Sequence, residues 1–166
     1  MNIKLIVAMC KNRGIGYNNN LPWRIKEDLQ HFSKLTTGEG NNAIIMGKNT
    51  WLSIGSKPLP NRDNLILSSS LKTENNDKIF NNIDKLLLHC KTQNYNTIWI
   101  IGGETIYKQF LEKKLIDQCI ISYINYDFNC DTFFPELDTK WYLKSLHKMD
   151  TKKPYDIWIH TYNNNN

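Results

Sequence analysis

Thr97-Ile98-Trp99-Ile100-Ile101-Gly102-Gly103-Glu104-Thr105-Ile106-Tyr107 is the stretch that decides the fold. Thr97 to Ile101 is a short run of β-branched and aromatic residues with no polar alternation, which predicts a strand buried on both faces. Gly102-Gly103 breaks it. Glu104 to Leu111 then has helical spacing, with Ile106, Phe110 and Leu111 inward. A buried strand that turns through glycines into a helix belongs to an α/β domain with a mostly parallel sheet. The glycines read two ways with about equal weight. They make a tight turn needing positive φ, or they let the backbone approach a ligand, with the free amides of the helix start suited to a pyrophosphate.

The same grammar recurs outward from this stretch. Ile3 to Met9 reads as a buried strand, followed by a loop, Lys11 to Asn20, that contains Gly14 and Gly16. Pro22 punctuates the chain before a helix over Lys26 to Leu35, whose predicted buried face is Ile25, Leu29, Phe32 and Leu35. Ala43 to Met46 is a strand stopping at Gly47, and Asn49 to Ile54 a short helix closed by Gly55. A turn-rich connection, Lys57 to Asp63, leads to a strand over Asn64 to Leu67 and to Ser68-Ser69-Ser70. A polar loop, a helix over Ile83 to Cys90 and a strand over Gln118 to Tyr123 complete the buried set, and Asp131 to Pro135 reads as a loop. Trp141 to Lys148 and Asp156 to Tyr162 alternate apolar and polar residues, as antiparallel or edge strands do. The expectation is one three-layer α/β domain over residues 1–162, with an antiparallel C-terminal edge and a frayed polar tail over 163–166. In such sheets ligands sit beyond the carboxyl ends of the strands. Here those ends are Ala8-Met9, Met46-Gly47, Leu67-Ser68-Ser69 and Ile101-Gly102-Gly103.

Composition narrows the function. The chain has 166 residues, 40% of them hydrophobic, and a net charge of +5 carried by scattered lysines and arginines. That balance favours an anionic small ligand over a nucleic-acid groove. Cys10, Cys90, Cys119 and Cys130 show no C-x-x-C spacing and His31, His89, His147 and His160 do not cluster, so no metal site is expected and the thiols read as reduced. The apolar N-terminal run contains Lys4 and reads as a strand rather than a signal peptide, and no run approaches a membrane span. The expected setting is cytoplasmic.

Asp28 lies beside the predicted helix face, one turn before Phe32. For an arbitrary helix a solvated carboxylate is the better reading; on the wall of an apolar pocket, desolvation would let it handle protons near neutral pH. Arg62, in a proline-stiffened turn, is either a solvated charge or a fork for a carboxylate. Trp23 and Trp51 read first as core, and Tyr107 as core or site. Gly47-Lys48-Asn49-Thr50 fails as a Walker A loop, since position 42 is Asn42 and Asn49 fills the hydroxyl slot. Gly14-Ile15-Gly16 fails the dinucleotide fingerprint at Asn19. A phosphate site must therefore be assembled from separate loops.

Taken in order, Ile15-Gly16, Leu21-Pro22-Trp23, Asp28-Leu29 and Phe32, Ile45 to Gly55, Pro58 to Asn64, Leu67-Ser68-Ser69, Ile101 to Tyr107 and Asp131 to Pro135 resemble the dihydrofolate reductase family. The resemblance spans nearly the whole chain. It implies NADPH-dependent reduction of 7,8-dihydrofolate to tetrahydrofolate, in support of one-carbon metabolism, and binding of antifolates. It implies that Asp28 is the active-site carboxylate and orients the pterin, with Trp23 and Leu21 in the loop that closes over the nicotinamide. By the same resemblance Ile6, Val7, Ala8, Leu29, Phe32, Ile54, Leu59, Ile101, Tyr107 and Ser122 line the substrate pocket, and Arg62 pairs with the glutamate tail. The implied cofactor site comprises Ala8, Ile15, Gly16, Gly47, Lys48, Asn49, Thr50, Leu67, Ser68 and Ser69, with Ile101, Gly102, Gly103, Glu104, Thr105, Ile106 and Tyr107. The Gly102–Gly103 peptide is expected to be cis. The chain departs from the family pattern at Ser122, where Thr is usual, at Thr105, where some members carry a basic residue, and at Lys57, an extra residue before Pro58.

Two rival readings differ in class, and a third changes only the context. A same-fold reductase of the riboflavin pathway would share the glycines without needing Asp28, Arg62 and the Leu-Pro-Trp loop together. An RNA-binding module rests only on the basic charge and surface aromatics. A monomer, or one half of a fusion with thymidylate synthase, changes the context and leaves the chemistry as it is.

Overall fold

The computed structural model describes residues 1–71 and 78–165. Most of the polar loop expected after Ser70 lies outside them. An eight-stranded sheet forms the middle layer. Its strands are β1 (Ile3–Met9), β3 (Ala43–Gly47), β4 (Asp63–Leu67), β5 (Ile79–Phe80), β6 (Ile98–Gly102), β7 (Gln118–Ile124), β9 (Trp141–Lys148) and β10 (Ile157–Asn164). Their order is β5-β4-β3-β6-β1-β7-β10-β9. Pairing is parallel from β5 through to β7, and β10 and β9 add the antiparallel edge. A separate ribbon joins β2 (Gly14–Gly16) to β8 (Thr132–Phe133).

Strand alternation assigns the two faces. Leu5, Val7, Ala43, Ile45, Leu65, Ile98, Ile100, Cys119 and Ile121 share a core with Leu86 and Cys90 of α3 (Ile83–Gln93) and with Ile106, Tyr107 and Phe110 of α4 (Glu104–Glu112). Ile6, Ile44, Met46, Ile66, Trp99 and Ile120 point the other way. Trp51 of α2 (Lys48–Ser53) joins them, and Phe32 and Leu35 of α1 (Lys26–Thr37) pack against them. Central strands buried on both faces explain their unbroken apolar runs. Burying a side chain such as Phe110, fully enclosed, contributes roughly 1.5–3 kcal/mol. The helix ends follow local chemistry: Asn82 caps α3 by accepting from the Lys85 amide, and Asn94 closes it in the left-handed region at φ 54°.

Three expectations need correction. The predicted buried face of α1 is a core face only in part: Phe32 and Leu35 pack against the sheet and Ile25, just before the helix, is buried, but Leu29 is 48% exposed. The stripe faces the sheet at Phe32 and Leu35 and borders a cleft at Leu29 and Phe32. The Asp131 to Pro135 loop contains β8, too short a strand for alternation to reveal. The tail does not fray from Asn163: Asn163 pairs with Gln118 and Tyr142, Asn164 pairs with Trp141, and the Asn165 amide donates to the Lys140 carbonyl. Backbone pairing needs no apolar side chain, so composition hid it.

Candidate active site

A cleft of about 1360 Å³ opens where β1, β3, β4 and β6 end, between α1 and the loop that follows β1. β3, β4 and β6 contribute through their last residues, Gly47, Leu67 and Gly102, and β1 through its next-to-last, Ala8. Ile6, Val7, Asp28, Leu29, Phe32, Ile54, Leu59 and Ser122 line one part of it. Ile15, Gly16, Leu21 and Trp23 line the loop side. Lys48, Asn49, Thr50, Ser68 and Ser69 line the far part, with Ile101 and Gly103 through Tyr107 between them. Every predicted site residue borders this one cleft except Arg62. Arg62 sits beside it, its Nε donating to the Pro60 carbonyl and its Nη1 to Thr36 Oγ1, both at 2.9 Å. That anchoring holds the guanidinium against the C-terminal end of α1, three residues past Leu59.

Asp28 is the buried charge of the cleft wall. Burial pushes its carboxyl above the usual carboxylate range, while a hydrogen bond from Ser122 and the nearby His31 pull it back. Ser122 on β7 is buried, so its hydroxyl is placed for Asp28 by the sheet. Trp23 is also buried, against Phe128 at 5.3 Å between ring centroids, and its indole N–H has no acceptor among the described residues. A buried carboxylate and an unpartnered indole donor lining one largely apolar cleft are an arrangement for a polar heterocycle.

The far part of the cleft suits a long anion. Gly102 has φ 120°, and a Cβ there would lie 3.1 Å from the Tyr107 hydroxyl, which donates to the Ile6 carbonyl at 2.8 Å. The Gly102–Gly103 peptide is cis, as expected. A Cβ on Gly103 would meet nothing closer than Thr50 Oγ1 at 3.8 Å, so its backbone is bare toward the cleft at the start of α4. Backbone amides at a helix start favour phosphate oxygens. Gly47 is demanded by packing, since a Cβ would lie 2.9 Å from Ile106 Cγ1. Lys48 Nζ lies 3.5 Å from Ser70 Oγ, and Ser68 Oγ accepts from the Leu71 amide at 3.0 Å. The site therefore presents a cation, hydroxyls and bare backbone along one rim, a donor set that fits a phosphorylated dinucleotide such as NADPH. Glu104 also lines the cleft, but its carboxylate accepts from the Phe133 amide at 2.8 Å and so ties β8 to α4.

Sequence reasoning missed His31, Arg24, Asn19, Asn20, Ser53, Asn81, Asn82, Gln109, Asp131 and Thr132, all of which border the cleft. Asp131 had a readable role only through the fold: its carboxylate accepts from the Asn18 amide at 3.0 Å and its amide donates to the Gly16 carbonyl, bracing the loop over the cleft. His31 follows Asp28 by three residues, a spacing that places both on one side of a helix.

A family model for dihydrofolate reductase matches residues 2–164. The dihydrofolate reductase of Staphylococcus haemolyticus is 37% identical over 166 residues, covering 98% of this chain and 95% of its own. That of Buchnera aphidicola is 40% identical, covering 94% of this chain and 95% of its own. A bifunctional dihydrofolate reductase-thymidylate synthase from Paramecium tetraurelia is 38% identical over 78% of this chain, which spans 27% of that relative. The chain belongs to the dihydrofolate reductase family.

Proposed function

We propose that Asp28 orients the pterin ring for reduction in this member of the dihydrofolate reductase family, and that the two parts of the cleft divide the reaction between them. The family reaction is the NADPH-dependent reduction of 7,8-dihydrofolate to 5,6,7,8-tetrahydrofolate. The observation that carries the assignment is the burial of Asp28 beside Ser122 on the wall of an otherwise apolar pocket. Two carboxylate oxygens accept paired N–H bonds from an amino-pyrimidine edge, a geometry that fixes the ring as well as binding it. Ile6, Leu29, Phe32, Ile54 and Leu59 supply apolar surface for the ring and the aminobenzoyl group, and Arg62 takes the tail carboxylate. Trp23 and Leu21 close the loop side against water, which strengthens the local electrostatics. The Gly102–Gly103 backbone and the start of α4 hold the pyrophosphate, and Lys48 with Ser68 and Ser69 the adenosine phosphate. NADPH bound there supplies the hydride that the pterin receives at C6. Asp28 keeps the ring polarised so that N5 takes up its proton.

The same carboxylate suits 2,4-diaminopyrimidine antifolates, whose protonated ring nitrogen and amino group present matching donors. The four cysteines are free thiols, which supports a reducing, cytoplasmic setting. The Paramecium relative makes linkage to a thymidylate synthase a second context for the same domain. Loss of the NADPH absorbance band, followed with and without dihydrofolate, tests the activity. Dihydrofolate-dependent loss is expected. Loss without it, or with a pyrimidinone of the riboflavin route in its place, would overturn the assignment.

A further inference from the structure

The Cys10 and Cys130 thiols, 120 positions apart in the chain, lie 3.8 Å apart, sulfur to sulfur. Cys10 follows β1 and is fully enclosed; Cys130 precedes β8 and is half-buried. Cys10 Sγ also lies 3.1 Å from Asn12 Oδ1, an oxygen that accepts from the Gly14 amide at 2.9 Å. A Cβ on Gly14 would occupy the place of the Cys130 sulfur, so the glycine makes room for the thiol. The Cys10 amide donates to the Gly14 carbonyl at 3.0 Å, which closes the turn, and the Phe134 amide donates to the Arg13 carbonyl at 2.8 Å, which fastens the turn to β8. Cys130 is followed by Asp131, whose amide donates to the Gly16 carbonyl and whose carboxylate accepts from the Asn18 amide. The two thiols thus stand where the root of the cleft loop meets the segment that braces it. The reaction above uses neither. Cys90 and Cys119 are buried elsewhere, in the core on the α3 and α4 side of the sheet.

We propose that Cys10 and Cys130 form an oxidation site, at which a hydroperoxide converts the two thiols to a disulfide that ties the root of the cleft loop to the segment before β8 and holds the loop over the cleft. The more accessible Cys130, as its thiolate, attacks one oxygen of hydrogen peroxide. The O–O bond breaks, a sulfenic acid forms, and the departing hydroxide takes up the thiol proton as water. The Cys10 sulfur then attacks the sulfenic sulfur; the S–S bond forms, the S–O bond breaks, and a second water leaves with the Cys10 proton. Two thiols give up two electrons and two protons, and one peroxide becomes two waters. The sulfurs must close from 3.8 Å to about 2 Å. Cys130 is the side that yields, since residues 127–130 are irregular chain outside the strands. Burial and the neighbouring Cys10 thiol hold the Cys130 thiol above the ordinary range, so its thiolate is scarce at neutral pH and oxidation quickens as pH rises. A dithiol reverses the bond by exchange. The consequence for turnover rests on the reading of the cleft as the dihydrofolate and NADPH site: a loop held down exchanges cofactor and product more slowly.

The test treats the full chain with hydrogen peroxide at pH 7 and pH 9, removes the excess with catalase, and compares wild type with Cys130→Ser. Peptide mass mapping without reductant should show a Cys10–Cys130 cross-link, formed faster at pH 9, with Cys90 and Cys119 unmodified. Hydrogen exchange of the Asn18 and Asp131 amides should slow by ~10-fold or more in the oxidised protein. Dihydrofolate-dependent turnover should fall by ~5-fold or more and return with dithiothreitol, while Cys130→Ser keeps its turnover through the same treatment. Failure to cross-link, a cross-link through Cys90 or Cys119, or an equal loss of turnover in Cys130→Ser would overturn the proposal. So would a cross-link that leaves amide exchange or turnover unchanged. If Cys130→Ser does not fold, Cys130→Ala and the mapping of the wild type decide the matter. Absence of dihydrofolate-dependent turnover in the reduced protein would count against the functional reading alone, since the cross-link and the amide exchange are read without activity.

Discussion

The Ser122 hydroxyl on β7 lies by the carboxylate of Asp28 on α1 and favours its ionised form, where helix and sheet meet in the cleft. This contact compensates only part of the desolvation of Asp28. The family pattern usually has Thr at this position, and the hydroxyl that matters is retained.

The residual desolvation makes Asp28 a cost to the fold. Its carboxyl titrates above its unfolded value, so the native state binds the proton more tightly and stability falls as pH rises through the raised value. Asp28→Asn therefore raises Tm at pH 7. The gain shrinks toward zero as pH falls to the ordinary carboxylate range. Thermal unfolding of both proteins between pH 4 and 8 measures it; a lower Tm for the variant at pH 7 would contradict the account.

Gly102 tolerates no side chain. At φ 120°, with the Tyr107 hydroxyl 3.1 Å from the built Cβ, Gly102→Ala is expected to cost about 1–3 kcal/mol of stability. The displaced Tyr107 also loses its bond to the Ile6 carbonyl, and the bare backbone at Gly103 shifts with it. Calorimetric titration with NADPH should show weakened binding alongside the lower Tm.

Arg62 separates binding from chemistry. It lies outside the cleft lining, yet its guanidinium is anchored through Thr36 at the C-terminal end of α1. Arg62→Ala should raise KM for dihydrofolate by roughly 10- to 100-fold, the worth of a charge-assisted bond pair, with kcat little changed. A fall in kcat at constant KM would place Arg62 elsewhere in the mechanism.

Much of this was legible in the residues, for physical reasons. Central strands such as Ala43 to Met46 and Thr97 to Ile101 are apolar on both faces, and that pattern has few other meanings. The cleft rim was legible because glycines end those strands where the chain must turn. What escaped depended on pairing rather than composition. Gly14–Gly16 and Thr132–Phe133 form a ribbon too short to alternate. Asn163 and Asn164 join the edge through backbone alone. Leu29 carries a core-like side chain yet is half-exposed at the cleft, because helical periodicity locates a face without saying whether protein or ligand covers it.

The central claim is that Asp28 orients and polarises the substrate. It is tested most directly by kcat/KM for dihydrofolate in wild type and Asp28→Asn from pH 5 to 8. At pH 7 the variant should lose at least ~100-fold, and part of the loss should return as pH falls and the substrate arrives already protonated. Equal rates at pH 7, or a loss that stays constant across the range, would contradict it.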